Sequence, residues 1–536
     1  MNVKRRGLIV GAALAGGGAS GLLAGTPAAA ETAALATQGG VVGPRDIRYP
    51  DLVVGGNQRF VGTPDYVHVA RSTRDVVDAV QQAVRTGRRL AVRSGGHCYE
   101  DFVANESVRV VVDMSSLTGV YYDSGYRAVV VEAGATLSHA YREIFKGWGV
   151  VIPAGACPTV GAGGHVPGGG YGPLARQLGL VVDHLYGVEV VVVDATGRAR
   201  AVVATQEPND PNRDLWWAHT GGGGGSFGVV TRFLFRTPGA TGTDPAGLLP
   251  RPPGEVLVSS LIYPWAALDE ARFTRLLRNY GGWYERNSGP ASPARRLFSQ
   301  LKPFRLPAGI VKLDVQIDTA GGGAEQLLAS FLAEIGDGVG VTPVVSDQRK
   351  LPWWHASWWN GFTGGDAPLT QRFKAKSAYH RRTFTQAQAS AIFRHMTSTE
   401  YANPGGLILI SGYGGRVNAV DPAATAVPQR DSILKLHYAN FWTVPQEDPV
   451  HLDWIRRFYA DVYSATGGVP VSNDDTDGTF INYADRDVAD PAWNSSGVPW
   501  TRLYYGANYP RLQRVKSAYD PLEIFRHALS PRPVGS

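Results

Sequence analysis

Two nucleophilic side chains, His97 and Cys157, each lie in a glycine-rich loop that follows an apolar, β-like run: RSGGHCYEDF (93–102) and PAGACPTVGAGGHVPGGGYG (153–172). Glycine carries no Cβ and reaches φ > 0, so backbone N–H groups in such loops can close around phosphate oxygens. An imidazole in one loop and a thiol in the other could each bond covalently to a cofactor held between them. Gly95 and Gly96 on one side, with Gly161, Gly163 and Gly164 on the other, are the expected pyrophosphate cradle. Arg93, Ser94, Thr159, Val160, Gly168 and Tyr171 belong to the same two loops and join the candidate set. Cys98 places a second thiol beside His97, with no chemistry assigned to it. The plain alternative for the two cysteines is one disulfide between Cys98 and Cys157. Neither C-x-x-C spacing nor any other ligand pattern points to a metal.

A third glycine cluster, GGGGGSFG (221–228), matches two known patterns by composition. Gly223–Gly228 fits G-x-G-x-x-G, and Gly224–Gly228 fits the G-x-S-x-G elbow of serine hydrolases, with Ser226 as nucleophile. Both patterns require a helix to follow. VVTRFLF follows instead and reads as a strand.

The formal net charge of +6 owes three charges to Lys4, Arg5 and Arg6, and no basic block stands elsewhere. Nucleic acid is therefore not expected as a partner. KRRGLIV, a Gly/Ala/Leu stretch and Ala28-Ala29-Ala30 before Glu31 give the order of an export signal over 1–30. The paired arginines suggest the twin-arginine route, with no stable membrane anchor after removal. GGGASG (16–21) also fits G-x-G-x-x-G, but no strand precedes it and Glu31 follows too soon.

The elements that position these residues alternate helix and strand from 59 to 238. Ser72–Gly87 predicts a helix with a Ser72/Asp75 cap and Val76, Ala79, Val80, Ala83 and Val84 on one face. VRVVVDM, RAVVVEAG and VEVVVVDATGRARAVV predict strands, and 139–146 a helix before the second loop. Thr237–Gly254 is Pro/Gly-rich and reads as a linker. A second α+β unit over 239–475 has strands at 257–263, 310–318, 407–415 and 432–442, and helices at 268–280, 324–335 and 451–465. WWHASWW (353–359) fills a core or lines a pocket for a ring system. Residues 476–536 form an aromatic-rich closing segment.

The two loops, together with YYGANYPRL (504–512), resemble the berberine bridge enzyme-like oxidases of the vanillyl-alcohol oxidase superfamily. Within it, bacterial oxidases of glycosylated natural products look most similar. The resemblance implies an α+β fold: a two-lobed, PCMH-type FAD-binding domain, a substrate domain with an antiparallel sheet, and a C-terminal segment returning to the flavin. It implies FAD bonded through His97 to the 8α-methyl carbon and through Cys157 to ring carbon C6. Gly228 and Val230 would belong to a flavin-contacting turn, and Tyr505 and Asn508 to the returning segment. FINYADRD (480–487) puts Tyr483 where the family keeps a base for the substrate hydroxyl. GYGGRVNAV (412–420) puts Tyr413 where a second active-site tyrosine stands. The implied reaction turns an alcohol into a carbonyl as hydride passes to flavin N5 and O2 becomes H2O2. The implied substrate is a secondary alcohol on a glycosylated or polyketide metabolite, or else the anomeric hydroxyl of an oligosaccharide.

Overall fold

The computed structural model describes residues 40–363 and 371–535, so the export-signal reading over 1–30 lies outside the described residues. The first sheet is built from β1 (Val41–Val42), β2 (Tyr66–Val69), β3 (Leu90–Arg93) and β4 (Val110–Asp113) in the order β1-β2-β4-β3. β2, β4 and β3 run parallel. α1 (Thr73–Arg85) makes the crossover from β2 toward β3; Ser72 caps it by accepting from the Asp75 N–H, and Val76, Ala79, Val80 and Ala83 are its buried stripe. Gly87 closes the helix at φ +62°, where a Cβ is disfavoured.

The second sheet holds β5 (Val120–Asp123), β6 (Ala128–Glu132), β7 (Leu185–Val193), β8 (Ala199–Thr205) and β9 (Val229–Phe235), antiparallel in the order β5-β6-β9-β7-β8. α2 (Leu137–Trp148) leads into the second glycine loop and stops at Gly149 in the left-handed region. The first loop leaves the carboxyl end of parallel strand β3, where such sheets present ligands.

The third sheet has seven antiparallel strands: β10 (Glu255–Pro264), β11 (Leu297–Pro303), β12 (Ile310–Asp318), β13 (Val344–Pro352), β14 (Arg372–His380), β15 (Gly406–Gly412) and β16 (Leu434–Trp442). Their order is β13-β10-β12-β11-β15-β16-β14. Four helices, α3 (Glu270–Asn287), α4 (Ala324–Gly336), α5 (Gln386–Thr397) and α6 (Asp448–Val462), pack side by side as α4-α3-α5-α6. The outer two contact β12 and β14/β16. Period-two alternation gives the strands two unlike faces. Gln300, Leu409, Ser411, Lys435, His437 and Tyr379 are paired across neighbouring strands and share one face. β11, β13 and β14 are strands that the sequence pattern did not predict.

Thr237–Gly254 is not a free tether. Leu248 and Leu249 are buried, and the Thr237 and Val151 N–H groups donate to Leu248 and Pro250 carbonyls. The C-terminal segment carries α7 (Tyr509–Tyr519), which packs on the short helix Arg213–Ala218. No helix among the described residues is long and apolar enough to cross a membrane.

Candidate active site

The two glycine loops touch backbone to backbone. A Cβ on Gly95 would lie 2.3 Å from the Gly161 nitrogen, and one on Gly161 would lie 2.3 Å from the Gly95 nitrogen. Only glycine fits either position. Ser94 Oγ donates to the Ala133 carbonyl at 2.6 Å, and the Gly163 N–H donates to the same carbonyl at 2.8 Å. This approach brings His97 and Cys157 to one hydroxyl: Thr159 Oγ1 is 3.0 Å from His97 Nε2 and 3.9 Å from Cys157 Sγ. Burial lowers the His97 pKa, which favours the neutral imidazole that a nucleophile needs. Both cysteines are free thiols, so the disulfide alternative is not realised. Burial pushes the Cys98 thiol up to about 11, away from reactivity.

A cavity of about 360 Å³ runs from these loops along the Gly223–Gly228 turn to Phe525–His527, with Phe298, Gln300 and Leu409 of the large sheet and Phe362 of the short helix Asn360–Thr363 at its other side. Arg93, Ser94, Gly95, Gly96, His97, Cys98, Cys157, Val160, Gly161, Gly163, Gly164, Tyr171, Gly228 and Val230 all line it. Gly164 and Gly225 face space in which a Cβ would meet no protein atom within 4 Å. An extended, phosphate-bearing group with one reactive ring fits such a cradle. The other expected contacts are placed behind this wall. Thr159 acts through His97 and Cys157, and Gly168 is pressed against Asn482. Tyr505 donates to the Gly222 carbonyl at 3.1 Å, bracing the glycine turn. Asn508 Nδ2 donates to the Pro422 and Thr425 carbonyls at 2.8 and 3.1 Å.

Tyr483 lies on the cavity wall, its hydroxyl 3.2 Å from that of Tyr171. The Tyr483 ring stacks on His437 at 4.1 Å and on Tyr99 at 5.5 Å between centroids. Tyr413 is fully buried behind Tyr171, with ring centroids 6.3 Å apart, rather than on the wall. Between them sits Lys435, whose Nζ is 3.0 Å from the Phe480 centroid, 3.7 Å from Tyr171, 5.5 Å from Tyr413 and 6.0 Å from Tyr483. Lys435 Nζ, His437 Nε2, Gln300 Oε1 and the hydroxyls of Tyr379 and Tyr413 are buried with no hydrogen-bond partner among the described residues. Unsatisfied polar atoms are costly; of these five groups Gln300 lines the cavity itself, and the other four lie behind the wall formed by Tyr171, Phe480 and Tyr483. Burial drives the Tyr483 and Tyr379 phenols well above their ordinary range and Lys435 well below its own. His437 is lowered to about 3 by the same cause and stays neutral.

Sequence reasoning missed Lys435, His437, Tyr379 and Gln300. The available signal was Lys435 and His437 two apart within the apolar strand SILKLHYANFW, on one face of the pleat.

Comparison with known proteins places this geometry. The family description "FAD binding domain" matches residues 64–202, and "Berberine and berberine like" matches 479–531. The aclacinomycin-N/aclacinomycin-A oxidase of Streptomyces galilaeus is 51% identical over 99% of this chain and 98% of its own length. The chain belongs to the berberine bridge enzyme-like FAD-linked oxidases. Two solved relatives have the same fold. CrmK, a flavoenzyme of caerulomycin biosynthesis, superposes with a TM-score of 0.89 at 50% identity, covering 92% of this chain and 99% of that one. A glycopeptide hexose oxidase complexed with teicoplanin gives 0.88 at 50% identity, covering 92% and 98%. The protein is thus an FAD-dependent oxidase of α+β, PCMH-type fold.

Membership in the berberine bridge enzyme-like oxidases corrects the hydrolase alternative, and the local geometry agrees. Ser226 Oγ is 3.3 Å from His527 Nε2, but His527 Nδ1 accepts the Leu529 N–H. Nε2 therefore carries the proton and donates to the serine, the reverse of a general base. None of the four tryptophans of this stretch lines the cavity: Trp353 and Trp359 are core, Trp354 is half-buried and Trp358 is exposed. Trp353 packs on Phe145 and Tyr141, Trp359 packs on Phe362, and of this neighbourhood only Phe362 reaches the cavity.

Proposed function

We propose that this oxidase converts a secondary alcohol on the sugar of a glycosylated metabolite to a carbonyl, with FAD attached through both His97 and Cys157. FAD held there would supply the hydride acceptor, with O2 as the two-electron oxidant that leaves as H2O2. The chain's own work is to bind the alcohol and remove its hydroxyl proton. Tyr483 is the acceptor, and its 3.2 Å contact with Tyr171 at the end of the Cys157 loop is the observation that carries this reading. A phenol raised by burial accepts no proton unless its phenolate is stabilised. Burial disfavours a lone charge on either group, but a Tyr483 phenolate and a Lys435 ammonium formed together make a pair with no net charge, and Lys435 Nζ faces the rings of Tyr171, Tyr413 and Tyr483. Tyr413 and Tyr379 share the same cation and form a second, deeper acceptor group. Gln300 Oε1, on the cavity wall and without a partner among the described residues, suits a hydroxyl of a sugar. The relatives' named substrates, aclacinomycin and a glycopeptide, support a glycosylated metabolite. The oligosaccharide alternative is represented by a hexose oxidase of Chondrus crispus, 30% identical over 90% of this chain and 93% of that protein.

The test is substrate-dependent H2O2 release with aclacinomycin N, teicoplanin and D-glucose as probes. Turnover of a glycosylated metabolite above D-glucose is expected; turnover of D-glucose alone would move the reading to the hexose oxidase class. We also propose export of the chain, with removal of the basic and small-residue segment near Ala30. Mature protein should begin near Glu31, and Met1 on extracellular protein would contradict this.

A further inference from the structure

Six charged side chains meet beneath the Tyr483 loop, and none takes part in the steps above. Lys374 and Lys376, two apart on β14, project from the same face of the strand. Lys374 Nζ lies 2.5 Å from Glu100 Oε1 and 2.7 Å from Asp485 Oδ1. Lys376 Nζ lies 2.7 Å from Asp485 Oδ2 and 2.9 Å from Asp487 Oδ2. Arg456 closes the array with two bonds to Asp487 at 2.9 and 3.0 Å. The lysine side chains are 3% and 2% exposed, and the three carboxylates no more than 6%. Three cations face three carboxylates, so the array is neutral as a whole and unbalanced if any member is lost.

The elements it joins give the array its meaning. Glu100 lies three residues after His97 and next to Tyr99, whose ring stacks on Tyr483. Asp485 and Asp487 lie two and four residues after Tyr483. The Arg486 N–H donates to Glu100 Oε1 at 3.2 Å, tying the two segments directly. Apolar contacts tolerate sliding, whereas charge-assisted bonds in a low-dielectric interior fix distance and direction. We infer that Lys374 and Lys376 are positioning residues that hold Tyr483 at a fixed place over the His97 loop by joining Glu100 to Asp485 and Asp487. This rests on the reading of Tyr483 as the proton acceptor. Asp485 itself is not free to serve as a base, because both its oxygens are held by lysines.

A positioning role predicts an effect confined to the step in which Tyr483 acts. Holoenzymes of wild type, Glu100→Gln, Tyr483→Phe and the double variant are compared by anaerobic flavin reduction with aclacinomycin N over a range of concentrations. Glu100→Gln keeps shape and flavin content, and is expected to slow the limiting rate about 10-fold, within the cost of a sub-ångström to 1 Å misplacement. The half-saturating concentration should stay within about twofold, since binding groups are untouched. In the Tyr483→Phe background the same change should add no further slowing. Equal slowing in both backgrounds, a wild-type rate for Glu100→Gln, or a change only in half-saturation would overturn the proposal and leave the base reading standing. A wild-type rate for Tyr483→Phe, or no reduction of wild-type flavin, would remove both. Lys374→Arg should recover rate that Lys374→Met loses; if Lys374→Met fails to fold, the Glu100→Gln cycle decides alone.

Discussion

Replacing Gly161 with alanine puts a methyl group where the two glycine loops meet. Its carbon would lie 2.1 Å from Ser94 Oγ, 2.3 Å from the Gly95 nitrogen and 2.9 Å from the Gly95 Cα. The serine hydroxyl cannot swing away freely, because it is bonded to the Ala133 carbonyl at 2.6 Å, and the other two atoms are backbone. Ordinary contact therefore requires the loops to part by roughly 1 Å, an overpacking cost of about 1–3 kcal/mol. The same displacement breaks the 3.0 Å contact between His97 and Thr159 and moves His97 away from Cys157. Misplacement of about 1 Å at a reacting centre costs about 10²-fold. Gly161→Ala protein should fold, retain less flavin after acid precipitation than wild type, and reduce what remains about 10²-fold more slowly. Gly164→Ala is the companion: its Cβ meets no protein atom, so stability should be unchanged while flavin content falls. Wild-type flavin retention and reduction in Gly161→Ala would refute the reasoning that the touching loops set the cradle.

Tyr483→Phe should keep its flavin yet slow anaerobic flavin reduction by about 10²- to 10⁴-fold, with reoxidation by O2 nearly unchanged. Lys435→Met removes the amine that faces these rings and can pair with a phenolate, so the rising limb of the reduction rate against pH should move to higher pH by about one unit or more; an unshifted profile would show that Lys435 does not assist Tyr483. His165, His380, His437 and His527 are lowered to about 3 and His219 to about 4, all by burial. The unfolded chain takes up protons near pH 6.5 that the folded chain refuses, so stability is full above that pH and falls as pH drops toward 4. Thermal melts from pH 8 to 4.5 should show this decline, at up to about 1.4 kcal/mol per pH unit for each histidine; a flat profile would contradict the burial argument. Ser226→Ala should cost only about 0.5–1.5 kcal/mol through loss of the Ser226–His527 hydrogen bond, since His527 keeps a backbone partner at Gly224, and should leave turnover intact.

The glycine loops were legible because glycine itself records the constraint: the chain needs no Cβ where Gly95 meets Gly161. β10, β12, β15 and β16 were legible because each carries an apolar run long enough to read. β14 was not. RFKAKSAYH reads as solvent-facing, yet Lys374 and Lys376 are buried against carboxylates supplied by two other segments of the chain. β13 is an edge strand, VVSDQRKLP, whose polar character reflects exposure rather than a loop. Lys435 escaped for the same reason as Lys374: a charged residue in a strand is ordinarily its wet face, and here that face closes over the site. Tyr505 and Asn508 came from resemblance, which identified the segment but not which way its side chains act.

The central claim is that His97 and Cys157 hold one FAD between the two loops. Intact mass and visible spectrum of acid-denatured protein test it most directly, for wild type, His97→Ala, Cys157→Ala and the double variant. The account predicts the apo mass plus one FAD, with yellow colour on the protein, in wild type and both single variants, and release only from the double. Free FAD in the wild-type supernatant, with protein at the apo mass, would contradict it.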